Sequence, residues 1–325
     1  MHIGSKIANL TSTSGFLLLE FSDIRETQIL YFFVFLTIYL TAVTGNLLII
    51  LAVALDHHLQ TPMYFFLMNL AILDLGAVSV MVPKAMANSL MNSRSISYSG
   101  CVAQVFFLFF FVGSDLSILT IMAHDRYVAI CNPLQYEIVM HRGACIQMAA
   151  SAWIAGILYG ALHTGGTFTI TFCSNMIDQF FCEIPQMLKL SCSNLYLVEV
   201  GLLLWGSCLA LGCFIYITVS YVRIFEAVLK IPSVHGQKKA ISTCLPHLTV
   251  VSLLIFTGMF AYLRPQSYTS SDLNIISAII YAVVPPLLNP FIYSMRNKEI
   301  KTALLKISDC GHLSKIIASK AFRQK

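Results

Sequence analysis

Seven long stretches of this chain hold at most one charged residue each. Thr27 to Leu55, Gly143 to Ile177, Val200 to Val222, Ala240 to Leu263 and Leu273 to Met295 hold no Asp, Glu, Lys or Arg; Leu59 to Pro83 holds only Asp74, and Cys101 to Ala123 only Asp115. Each exceeds the ~20 apolar residues that a helix needs to cross a bilayer. None has the short alternation of a barrel strand, so helices are the expected spans. Composition points the same way. Of 325 residues, 57% are hydrophobic and 11% charged, against roughly 25% charged in soluble proteins. So few charges could not cover a water-facing surface. The expectation is an all-α membrane protein: a seven-transmembrane helix bundle over 27–296, an extracellular N-terminus over 1–26, and a cytoplasmic amphipathic helix and tail over 297–325.

Basic residues set the expected orientation. With the N-terminus outside, the inner loops and tail hold 14 of the 20 Lys and Arg, against six acids. The positive-inside rule then favours N-out and C-in. The overall +5 charge is a topology signal, and no nucleic-acid partner is read into it. Residues 1–26 are mixed and polar, without the apolar core of a cleavable signal peptide. Asn9-Leu10-Thr11 is a glycosylation sequon on the side expected to be lumenal. No internal repeat of the transporter kind is seen. The longest loop, about Thr164 to Val198, holds Cys173, Cys182 and Cys192, and Cys101 opens the third span. Four lumenal cysteines allow three pairings. Cys310 is a candidate for palmitoylation. In the tail, Ile300, Leu304 and Leu305 are expected along the membrane, with Lys298, Lys301 and Lys306 turned toward lipid phosphate.

Two acids lie within spans. A charge at a helix centre costs ~2.5–3.5 kcal/mol on insertion scales, so Asp74 and Asp115 should face the bundle interior. With Asn46 and Asn289 they form a candidate sodium site, metal ligands Asp74 and Asp115. The bland alternative is protonated acids bonded to the asparagines. At the end of the third span stand Asp125, Arg126 and Tyr127. Arg126 keeps its charge and is expected to pair with Asp125 at rest, then meet the carbonyls of a docking partner once released. Alone this is an ordinary interfacial anchor. Asn289, Pro290 and Tyr293 in the seventh span add a loosened helix turn, and Tyr221 in the fifth adds a second mobile hydroxyl.

Several words of sequence resemble the olfactory receptor family of rhodopsin-like (class A) G protein-coupled receptors. They are Gly45-Asn46, Pro62 to Leu67, Met122 to Tyr136, Ser220-Tyr221, Lys239 to Leu248 and Pro286 to Tyr293. The resemblance covers residues ~20 to 305, and the second and third of these blocks are together highly specific. It implies disulfides Cys101–Cys182 and Cys173–Cys192, a small odorant as ligand, and a stimulatory olfactory-type heterotrimeric G protein as partner. Coupling would use Asp125, Arg126, Tyr127, Tyr221, Lys238, Lys239, Asn289, Pro290 and Tyr293. It implies a multi-pass plasma-membrane receptor, not an enzyme, with no cofactor beyond a candidate allosteric sodium ion. The chain departs from the pattern at His124 (tyrosine in the family), Asp115 (glutamate), Pro246 (serine) and Leu254 to Thr257, where Ile255 lacks a tyrosine hydroxyl.

The resemblance also implies a ligand pocket in the outer half of the bundle. On the third span Phe109, Val112, Gly113 and Leu116 share one helical face. Matching depths give Leu202 and Gly206, Met259 and Tyr262, and Ile279 and Ala282. Ordinary helix packing explains any one of them equally well. The set is apolar except for Tyr262, with His163 a second polar candidate. Small, uncharged volatile ligands are expected. Leu108 stands where amine receptors carry a carboxylate. A transporter or channel would use Asp74 and Asp115 as an ion path, but the other spans lack charge. For a membrane enzyme there is no zinc-ligand spacing and no serine–histidine pair at a plausible common depth. A non-olfactory receptor for a lipid would lack the flanking words.

Overall fold

The computed structural model describes residues 15–19, 24–91, 93–262, 271–296 and 298–308; the side chains of Lys239, Phe260–Tyr262, 271–275, Met295, Arg296, Lys298 and Ser308 are outside this description. Among the described residues, seven helices are long and apolar enough to span a membrane. They are α1 (Arg25–Leu55), α2 (Pro62–Met91), α3 (Tyr98–Cys131), α4 (Arg142–Phe168), α5 (Tyr196–Leu229), α6 (Val234–Tyr262) and α7 (Ser271–Arg296), followed by the short α8 (Lys298–Ser308). Single turns at Tyr136–Val139 and Ile184–Lys189 lie between them. The stretch read from sequence as charge-free to Ile177 stops being helix at Phe168.

Local chemistry fixes the helix starts. Ser97 Oγ accepts the Gly100 amide at 3.1 Å at the head of α3, and His141 Nδ1 accepts the Ala144 amide at 3.3 Å at the head of α4. Both satisfy orphan donors of a first turn. The α3–α4 contact depends on glycine. A Cβ on Gly156 would lie 2.0 Å from Ser114 Oγ, and one on Gly160 would lie 2.7 Å from the Phe106 carbonyl. The two are four apart on one face, the small-residue spacing that lets membrane helices approach closely. In contrast, only 11% of the α5 span is buried, the smallest share of the seven. Leu204, Trp205, Leu211, Phe214 and Ile215 are exposed on it, as a lipid-facing surface requires.

One end of the bundle carries a small sheet. β1 (Phe16–Leu18) pairs antiparallel with β2 (Ser95–Ile96) and parallel with β3 (Met176–Ile177). Phe16 and Leu18 are buried while Leu17 is exposed, the period-two alternation of a half-buried strand. The N-terminal region, expected from sequence as a polar tail, therefore contributes a core strand. Three residues are too short a run for their alternation to register. The long loop folds over this sheet end, tied by Cys101–Cys182 and Cys173–Cys192, with Cα separations of 5.5 and 5.7 Å. These are the pairings that the resemblance implied. Cys131, Cys145, Cys208, Cys213 and Cys244 are free thiols; Cys310 lies outside the described residues.

At the opposite end, α8 is docked against the bundle. Tyr64 Oη donates to Glu299 Oε2 at 2.6 Å, and Lys306 Nζ donates to Asp56 Oδ2 at 3.0 Å. This corrects two expectations. Lys306 faces an acid of the α1–α2 connection instead of lipid phosphate. Ile300 is buried in the bundle core beside Ala303, while Leu305 stays 64% exposed. The α1–α2 connection supplies a carboxylate and an apolar seat that tail periodicity cannot reveal. Burial alone would raise the Asp56 carboxyl. The His58 amide and the Lys306 ammonium outweigh it and bring it below its ordinary value.

Candidate functional site

The α8 end of α3 carries Asp125 and Arg126, both buried. They are not paired with each other at ion-pair distance. Tyr136 Oη donates to Asp125 Oδ1 at 2.8 Å, and Arg126 Nη1 donates to the Thr243 carbonyl of α6. The expected resting charge pair is thus replaced by two separate contacts. Tyr136, on the turn after α3, occupies the acid, and α6 offers the guanidinium a carbonyl. Burial, followed by the charge of Asp125, pushes the Tyr136 phenol above its ordinary range, so it remains the donor. Arg126 Nε has no partner. Tyr127 is half-buried and Lys238 exposed.

Beside Arg126, His247 ties three helices together. Its Nε2 lies 2.9 Å from the Leu119 carbonyl and its Nδ1 lies 2.8 Å from Tyr221 Oη. A carbonyl only accepts, so Nε2 carries the hydrogen, and Nδ1 accepts from Tyr221. Tyr221 therefore joins α5 to α6 and through His247 to α3. In sequence His247 is only one position of the Lys239 to Leu248 block. Nothing in single-chain spacing tells that it meets an α3 carbonyl.

His124 has a partner as well. Its Nδ1 is 2.7 Å from Tyr216 Oη of α5. The residue standing in place of a tyrosine thus makes its own α3–α5 bond.

The intramembrane acids sit where expected, inside. Asp74 is 1% exposed, and Asn289 Nδ2 donates to its Oδ2 at 2.9 Å. Asp74 Oδ1, Asp115 Oδ1, Asn46 Oδ1 and Asn289 Oδ1 are buried without hydrogen-bond partners. Four orphan oxygens, two from carboxyl groups, are a donor set suited to a hard cation. Among the described residues no cluster of three or more His, Cys, Asp or Glu occurs. Tyr293, one turn beyond Asn289, is buried with its hydroxyl also unpartnered.

Toward the sheet end, the positions singled out on α3 divide. Phe109 is buried, stacked on His163 of α4 with ring centroids 4.2 Å apart. A Cβ on Gly113 would meet Tyr159 of α4 at 3.0 Å, and one on Gly206 of α5 would meet the Tyr159 hydroxyl at 2.4 Å. Tyr159 thus fills the space that both glycines leave. Leu116 and Leu202 are half-buried, whereas Val112 is 38% exposed. The face expected to point inward as a unit is in fact split between α4 and an open flank. Met259 is also exposed, Ala282 is buried, Ile279 packs against the same cluster as Phe109 and Ala282, and the Tyr262 side chain lies outside the described residues. Glu199, which no sequence motif marks, joins this group. It is fully buried on α5, with Oε1 2.5 Å from His163 Nδ1.

The olfactory receptor sequence model matches residues 35–309. The chain belongs to the olfactory receptor family. Human olfactory receptor 14A16 is 50% identical over 92% of the chain and 96% of its own length. Human olfactory receptor 14I1 is 51% identical over the same shares, and human olfactory receptor 14A2 is 48% identical over 93% and 96%. The protein is accordingly a multi-pass membrane receptor, from a receptor family and not an enzyme family. In this receptor Asn289 of α7 bonds Asp74 of α2, Asn46 of α1 bonds the Pro286 carbonyl of α7, and Arg126, Tyr221 and His247 gather at the α8 ends of α3, α5 and α6.

Proposed function

We propose that this olfactory receptor binds small, uncharged, largely apolar volatile ligands in the half of the bundle under the disulfide-tied loop and activates a stimulatory olfactory-type G protein, raising cyclic AMP. The sheet end then faces outside and α8 lies in the cytoplasm, the orientation favoured by the distribution of basic residues. The observation that carries the reading is the contact of Arg126 with the Thr243 carbonyl beside the Tyr221–His247 bond. It holds α6 against α3. A ligand that binds better to the arrangement in which α6 has moved away shifts the population toward it. Arg126, Tyr127, Lys238 and Lys239 then face the G protein, while Asn289, Pro290 and Tyr293 provide the movable segment of α7. Asn9 carries glycan in this orientation, although it lies outside the described residues. Sodium held by Asp74 and Asp115 acts as an allosteric ligand that favours the closed arrangement.

Arg126→Ala, compared with the native chain in cells carrying a cyclic AMP reporter and a surface-displayed N-terminal tag, tests this. Surface display is retained and the odorant response falls at least tenfold. An unchanged response at equal display would overturn the role of Arg126.

A further inference from the structure

The α4–α5 contact at the sheet end contains a polar centre that an apolar pocket has no need of. His163, Thr167 and Glu199 are 1%, 0% and 0% exposed. One bond, between His163 Nδ1 and Glu199 Oε1 at 2.5 Å, links two of them. His163 Nε2, Glu199 Oε2 and Thr167 Oγ1 are left without partners. His163 and Thr167 are four apart on α4, hence neighbours on one face. Elsewhere in the bundle Thr37, Thr41, Thr120, Thr164, Thr218 and Thr249 return their hydroxyls to the carbonyl four residues back. Thr167 does not.

The backbone also makes room for the centre. A Cβ on Gly166 would lie 2.1 Å from Glu199 Oε2, so the glycine leaves the space that the carboxylate occupies here. Phe109 stacks on one face of the His163 ring, and Tyr159 stands edge-on to it with centroids 4.5 Å apart. The imidazole is thus held in orientation by rings while its free nitrogen remains unsatisfied. A buried polar atom without a partner calls for a physical explanation, and a bound polar group is one. Three on one contact call for a ligand that both donates and accepts.

We propose that His163, Glu199 and Thr167 form the polar anchor of the ligand site and select a hydroxyl-bearing odorant, an alcohol or phenol. The proposal rests on the reading of this half of the bundle as the ligand pocket. A hydroxyl donates to Glu199 Oε2 and accepts from whichever of His163 Nε2 or Thr167 Oγ1 carries its hydrogen outward. An ether or ketone only accepts and leaves the Glu199 oxygen unmet. A protonated amine only donates, so it leaves the outward hydrogen of His163 Nε2 or Thr167 Oγ1 without an acceptor. A site built to bond a hydroxyl discriminates strongly against analogues lacking it, because its own buried groups are then stranded.

The test compares straight-chain alkanols of six to ten carbons with methyl ethers of equal length and with the matching alkylamines. Binding is read as thermal stabilisation of the purified receptor in lipid nanodiscs, and signalling as cyclic AMP in cells. Alkanols bind the native receptor at least tenfold tighter than the ethers, and Thr167→Val and Glu199→Gln reduce that ratio. Thr167→Val removes no existing bond, so the empty receptor keeps its stability. If a variant fails to fold, the native comparison decides. Equal stabilisation by alkanol and ether, stronger stabilisation by amine, stabilisation by none, or an unchanged ratio in both folded variants would overturn the anchor. Selective alkanol binding without cyclic AMP would support the anchor and overturn the signalling proposal. A cyclic AMP response indifferent to the hydroxyl would do the reverse.

Discussion

Asn46 Nδ2 donates to the carbonyl of Pro286 at 3.0 Å, and also to the Ala42 carbonyl at 2.9 Å. Pro290 has no N–H to offer four residues back, so the Pro286 carbonyl loses its helical partner. A side chain from α1 replaces it. A Cβ on Gly45 would stand 2.9 Å from Pro290 Cβ, so the glycine before Asn46 brings the two helices close enough for that bond. Gly45-Asn46 and Asn289-Pro290, 243 residues apart, are two halves of one device.

Asn46→Ala strands a buried carbonyl and is expected to cost about 1–3 kcal/mol. Gly45→Ala forces α1 away from Pro290 and should lower stability as well. Thermal unfolding of the purified receptor measures both. An unchanged midpoint in Asn46→Ala would show that the Pro286 carbonyl has another partner.

His247→Ala removes the bonds to Tyr221 and Leu119 together, so α6 is held less firmly against α3. Ligand-independent cyclic AMP should rise above the native level at equal surface display. Tyr221→Phe, which loses one bond of about 0.5–1.5 kcal/mol, should raise it less. A basal signal that falls in both would reverse the sign assigned to this network.

Asp74 and Asp115 each hold a buried, unpartnered carboxyl oxygen inside the bundle, and a charge there is costly without a cation or a proton to meet it. Native receptor should therefore be stabilised by sodium but not by N-methyl-D-glucamine at equal ionic strength, and Asp115→Asn should lose the difference. Sodium-independent unfolding of the native receptor would leave the orphan oxygens to protons alone.

The Asp56–Lys306 pair makes α8 docking sensitive to acid. The folded carboxyl is held below its ordinary value of 3.8. Its contribution is therefore present above that pH and fades as pH falls through the lowered folded value. The pair is partly exposed, 14% at Asp56 and 41% at Lys306, so its worth is about 0–1 kcal/mol and salt weakens it. Hydrogen exchange in α8 should quicken below about pH 4 and in Lys306→Met. Tyr64→Phe should quicken it independently through Glu299.

Removing Cys101–Cys182 opens a loop spanning 81 residues, which costs about 2–5 kcal/mol. Cys101→Ser with Cys182→Ser should abolish surface display. Opening Cys173–Cys192, across 19 residues, should cost less because the loop it closes is shorter.

The linear sequence carried what depends on runs and words. Seven long stretches with at most one charge each specify spanning helices because a bilayer leaves backbone groups no partner outside the helix. The motif words specified the family and, through it, the disulfide pairing. Asp74 and Asp115 could be assigned to the interior because lipid excludes charge. Pairings across helices were not written there. Arg126 and Asp125 are neighbours in sequence, yet each turns to a different partner, because side chains on consecutive helical positions point apart and the nearer acceptors come from α6 and the Tyr136 turn. Glu199 counted as one more acid near a helix start until folding set it on His163. Phe109 and Val112 shared a predicted face, but the close α3–α4 approach through Gly156 and Gly160 covers one and leaves the other open. The bilayer's demand on each helix is local and can be read residue by residue, while the identity of a buried group's partner is settled when helices distant in the chain come into register.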